Sequence, residues 1–188
     1  MFGRERIIPP ASSGPQGAQG AQGASGANGM WTLIGSQTLG GNAATMTISG
    51  ISSGNNFLKL TGYIKGSLST NILYIRFNND SGGNYYTQRL SAATSTVTAA
   101  QLTGQAQIAV YTGVSGSIFA PIEIFIQNDS SGQQKTGWVR FSDNENDIRM
   151  FSFRWTDTSA EISSIQLLWS AAENFVTGSK IVVEGSTQ

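Results

Sequence analysis

Between residues 14 and 29 glycine returns at every third position, as Gly14, Gly17, Gly20, Gly23, Gly26 and Gly29, with none out of phase. The triplets read GPQ, GAQ, GAQ, GAS, GAN and GMW. This strict period has a mechanical cause. When three polyproline-II-like chains wind together, every third residue reaches an axis where only a hydrogen side chain fits. A flexible Gly/Ala/Gln linker is the alternative, but it has no reason to keep phase over six triplets. The repeat therefore predicts a short collagen-like triple-helical stalk over residues 14–30, and with it a homotrimer. At about 3.1 Å per residue the stalk spans roughly 50 Å. Only Pro15 occupies an X position, so the chains are poorly preorganised and need a trimeric neighbour to hold them together.

Residues 1–13 precede the repeat and have no core of their own. They carry Phe2, Ile7 and Ile8 beside Arg4 and Arg6, with Pro9 and Pro10 stiffening the exit. Such a segment can order on docking, so Phe2, Arg4, Arg6, Ile7 and Ile8 are candidates for an attachment arm. A disordered tail is the other reading. The apolar pair Ile7–Ile8 is far shorter than the roughly 7–15 residues of a signal peptide, and no stretch approaches the about 20 that span a membrane. Neither targeting nor a membrane partner is expected.

Beyond Trp31 the period changes to two. Leu58, Leu60 and Ile64 alternate with Lys59, Thr61 and Lys65, as in a half-buried strand. Ile118, Ala120, Ile122, Ile124 and Ile126 share one face, with Phe119, Glu123 and Phe125 opposite. Phe151, Phe153 and Trp155 likewise face away from Ser152, Arg154 and Thr156. Further strands are expected at 31–39, 45–49, 71–77, 85–90, 107–111, 137–142, 162–170 and 180–184, about eleven in all. Gly-, Ser- and Asn-rich turns separate them, as at Asp80–Gly83. The Ala- and Thr-rich stretch 92–101 reads as a helical turn or a loose loop. Many short strands without alternating helices predict an all-β fold, a jelly-roll-like antiparallel β-sandwich over residues 31–188.

Chemistry is narrowed by what is missing. The chain has no histidine and no cysteine, which excludes imidazole bases, thiolate nucleophiles and zinc sites built on those ligands. Eleven basic residues balance eleven acidic ones, so nothing suggests the cationic grip that nucleic acid requires. The run Asp143-Asn144-Glu145-Asn146-Asp147 could offer oxygens to calcium, but Ile148 and Arg154 break the EF-hand pattern, and a solvated hairpin loop explains it better. Asn78, Asn79, Asp80 and Asn84 are similarly explained by Asx turns. No cofactor is expected. Tyr85, Tyr86 and Trp138, beside Arg89 and Arg140, are candidates for stacking on sugar rings, against the ordinary use of strand aromatics as core.

The run Leu73–Tyr85, LYIRFNNDSGGNY, resembles a segment of tailed-bacteriophage virion proteins in which a strand ends in an RFN-D-G-NY turn. That pattern has glycine where Asn79 stands. Phe175–Gly185 is similar to the closing strand of the same proteins, and the stalk resembles those of phage head fibres, decoration proteins and tail fibres. The resemblance implies a non-enzymatic virion protein: a homotrimeric capsid decoration protein or head fibre, held to other virion proteins by residues 1–13. The alternative is a tail-fibre or receptor-binding module recognising host cell-surface glycan. A depolymerising enzyme is a third and weaker class.

Overall fold

The computed structural model describes residues 30–68, 72–93, 96–111, 118–129, 132–142, 147–170 and 173–187. Residues 1–29, which hold the arm and all six phased glycines, lie outside the described residues, as do Asp143 and Glu145. The described chain is all-β and antiparallel. Its twelve strands are β1 (Thr32–Thr38), β2 (Thr45–Ser49), β3 (Phe57–Ile64), β4 (Ile72–Phe77), β5 (Tyr85–Ala93), β6 (Thr96–Gln105), β7 (Ile108–Tyr111), β8 (Ala120–Gln127), β9 (Lys135–Ser142), β10 (Asp147–Trp155), β11 (Ser164–Trp169) and β12 (Lys180–Ser186).

They form two sheets, an eight-stranded one ordered β1-β12-β3-β8-β9-β10-β5-β6 and a four-stranded one ordered β2-β11-β4-β7. Alternation explains why the sheets pack face to face. Leu58 and Leu60 of β3, Ile122, Ile124 and Ile126 of β8, and Val183 of β12 point inward from the large sheet. Met46 and Ile48 of β2, Leu73 and Ile75 of β4, and Ile165 and Leu167 of β11 meet them from the small one. All belong to one continuous buried cluster. Each such side chain contributes about 1.5–3 kcal/mol when fully buried.

Two hairpins widen the large sheet. The segment between β4 and β7 supplies β5 and β6, and the segment between β8 and β11 supplies β9 and β10. One expectation is corrected here. Residues 96–105 form neither a helical turn nor a loop but β6, paired along β5 from Ala93↔Thr96 to Tyr85↔Gln105. The ladder slips between Tyr85 and Thr87, where Gly104 takes a left-handed conformation with φ of 61° and absorbs the extra residue of a bulge. At the centre of the large sheet, β8 and β9 approach so closely at Gly137 that a Cβ there would collide with the Phe125 carbonyl and the Phe153 ring.

Candidate functional site

The segment that carries the phage-like resemblance closes on itself. Asp80 N–H donates to the Phe77 carbonyl at 2.8 Å across a turn whose central residues, Asn78 and Asn79, have φ of 53° and 56°. Two left-handed residues in succession are what a type I′ turn demands, and Asn tolerates that conformation. The Asn78 side-chain oxygen accepts from Ser163 N–H at 2.8 Å and Ser164 N–H at 3.1 Å, while its side-chain amide N–H donates to the Glu161 carbonyl at 2.8 Å. The turn is thus bolted to the entry of β11.

Asp80 is the second bolt. Its carboxylate accepts from the Trp155 indole N–H at 2.7 Å, the Asn84 amide at 2.9 Å and Gly82 N–H at 2.8 Å. Partial burial alone would raise its pKa, but these three donors outweigh it and hold the carboxyl below its ordinary value. Tyr85 completes the lock: its hydroxyl accepts from Phe77 N–H at 2.9 Å, and burial pushes the phenol well above its ordinary pKa. Its ring stacks on Trp155 at 6.3 Å. These polar groups are spent on one another. Among the described residues no group of three or more Asp and Glu side chains could hold a metal ion.

Tyr85 is therefore removed from the sugar-contact set: it is 0% exposed and faces the core. Its neighbour Tyr86 points the other way, as period two requires, onto the outer face of the large sheet. There Lys59, Phe125, Trp138, Ser152, Gln88 and Gln101 form one row across β3, β8, β9, β10, β5 and β6. Tyr86 lies in the next row, opposite Arg154, whose guanidinium sits 4.5 Å from the centre of the ring. Tyr86 and Trp138 share a face but stand two strands apart, about 10 Å at ordinary strand spacing. Trp138 stacks on Phe125 at 5.7 Å and 10°, and the Arg140 guanidinium lies 4.5 Å from its ring. Two protein groups already claim its π surface.

Beside these stacks the face is hollowed. A groove of about 590 Å³ runs over Trp138, Ser152, Gln88 and Gln101 toward Leu90 and Met150. A smaller polar one of about 290 Å³ lies between Tyr86, Arg154, Gln88, Gln101 and Ser152. Arg140 and Glu123 pair within the chain at 3.7 Å. Arg76 donates to the Gln107 side chain at 2.8 Å.

Alternation set Phe125 opposite the buried isoleucines of β8, but sequence reasoning did not join it to Trp31 and Phe57. Trp31 meets Phe125 edge-on at 6.0 Å, Phe57 lies 5.8 Å from Phe125, and Lys59 Nζ sits 5.2 Å from the Trp31 ring. The signal was present: Phe125 occupies an outward position between buried Ile124 and Ile126. Comparison with protein-family models finds no family that matches, and comparison with curated proteins finds no match.

Proposed function

We propose that the chain is a non-enzymatic structural protein of a tailed-phage virion, a homotrimeric capsid decoration protein or head fibre. In this reading residues 1–13 attach it, the Gly-X-Y stalk projects it, and the sandwich forms its tip. The observation that carries the reading is continuity: the phased glycines end at Gly29, and β1 of the sandwich begins at Thr32. The strand order supports a jelly-roll tip. Setting the two added hairpins aside, β1-β12-β3-β8 faces β2-β11-β4-β7, which is first, eighth, third and sixth against second, seventh, fourth and fifth. Purified full-length protein should bind capsids, and deletion of residues 1–13 should abolish that binding. Unimpaired binding by the truncated chain would sink the attachment role.

A second reading, recognition of a host glycan, is favoured by the smaller groove. Gln88, Gln101 and Ser152 offer neutral donors and acceptors there, flanked by the Tyr86–Arg154 stack. Saturable binding on a glycan array, lost in Gln88→Ala and Tyr86→Ala, would establish it; an array without signal would remove it.

A further inference from the structure

The two outer faces of the sandwich differ in character. The small sheet shows Thr45, Thr47 and Ser49 to solvent, with Gln166 and Arg76 half-buried beside Ile72, Tyr74 and Leu168, a mixed face of a half-buried sheet. The large sheet shows Phe125 in ring contact with both Phe57 and Trp138, where alternation would otherwise place polar residues. Two ion pairs lie on the same face, Lys59 with Glu184 at 2.9 Å and Glu123 with Arg140 at 3.7 Å, so these four charges are already partnered within the chain.

The way the chain enters selects the occupant of this face. Trp31 does not continue the line of β1 at the sheet edge. It lies over the outer face, against Phe125 of β8 and under Lys59 of β3. Met30 and Leu33 on either side are 57% and 64% exposed, which leaves two large apolar side chains uncovered at the same place. Gly29, the last phased glycine, is only two residues before Trp31 in the sequence. Three chains leaving one triple helix must therefore bring their Trp31 side chains close to a common axis, each carrying the face it is packed on.

We propose that the outer face of β12-β3-β8-β9, centred on Phe125, is the surface through which three copies of this chain meet around the axis of the stalk. This rests on the trimer reading above and adds which side of the sandwich turns inward. Trp31, Phe57 and Phe125 form the apolar centre of the contact, and the two intrachain ion pairs lie beside them. The grooves over β10, β5 and β6 remain at the rim, open to a ligand.

The chain contains no cysteine, so a single introduced thiol reports only on its own position. In the full-length protein, nitroxide labels on Thr61→Cys, outward on β3, and on Gln166→Cys, outward on β11, are compared by inter-chain dipolar distances. Light scattering is run on the wild type, Phe125→Glu and Gln166→Glu, with circular dichroism to verify that each variant is folded. The expected result is a three-chain wild type, a shorter inter-chain distance at Thr61 than at Gln166, and loss of the three-chain mass in Phe125→Glu but not in Gln166→Glu. A three-chain wild type whose labels are closer at Gln166 overturns the face and leaves the trimer standing. A single-chain wild type overturns both.

Discussion

At the scale of single residues the most consequential group is Asp80, because one carboxylate joins the β4–β5 connection to the fully buried Trp155. Asp80→Ala leaves the indole N–H without its partner and should cost about 1–3 kcal/mol in urea unfolding. Its pH dependence has a definite sign. Folding lowers the Asp80 pKa, so the unfolded chain binds the proton more readily and acid favours unfolding. The contribution of the ionised carboxylate is complete above the ordinary value of 3.8 and fades as pH falls through the lower folded value. The stability gap between wild type and Asp80→Asn should accordingly be wide at pH 7 and narrow near pH 2; a gap that widens in acid would refute the assignment. Asn79 tests the turn. Asn79→Val forces a β-branched residue into left-handed backbone and should cost about 1–2 kcal/mol, while Asn79→Gly should leave the midpoint of unfolding nearly unchanged.

At the scale of elements, most of the sandwich is legible in the sequence and the reason is burial on one side. Each of β3, β8 and β10 sets buried residues against exposed ones with period two, so Leu58 and Leu60, or Phe151 and Phe153, announce a strand without further context. β6 does not. It is an edge strand whose pattern of exposure is almost continuous, with only Leu102 and Gln105 partly covered, so TVTAAQLTGQ carries no alternation to read. The sugar-contact set failed at Tyr85 for a related reason. In a Tyr-Tyr pair, parity alone does not say which ring faces inward. That choice is made by a partner far along the chain, since Tyr85 lies opposite Trp155 in the β5–β10 ladder and its hydroxyl finds Phe77. Alternation placed Phe125 on the outer face, but its contact with Trp31 joins residues far apart in the chain, which no local period encodes. Edge position also has a dynamic consequence. β6 pairs only with β5, whereas β3 lies between β12 and β8. Backbone amides of the two edge strands, β6 and β1, should exchange with deuterium fastest among the large-sheet strands and those of β3 and β8 slowest; uniform protection across the sheet would contradict this.

At the scale of the whole molecule, the two periods of the sequence divide the labour. Period two builds a sandwich whose own core is complete, with Trp155, Phe77 and Tyr85 fully buried without help from another chain. Period three adds something that one chain cannot satisfy, because a single strand of Gly-X-Y has nothing to wind around. With only Pro15 to stiffen it, a stalk of this sequence would need three sandwiches held together beside it, and the proposed contact through the outer face would supply that. Replacing Gly20 with a bulky residue should lower the melting temperature of the triple-helical signal while leaving the β-signal of the sandwich intact. The proposed trimer is tested most directly by the absolute mass of the full-length protein, from light scattering after size exclusion. The mass expected is three times the 19.9 kDa of the chain, held on dilution; the mass of a single chain would contradict it.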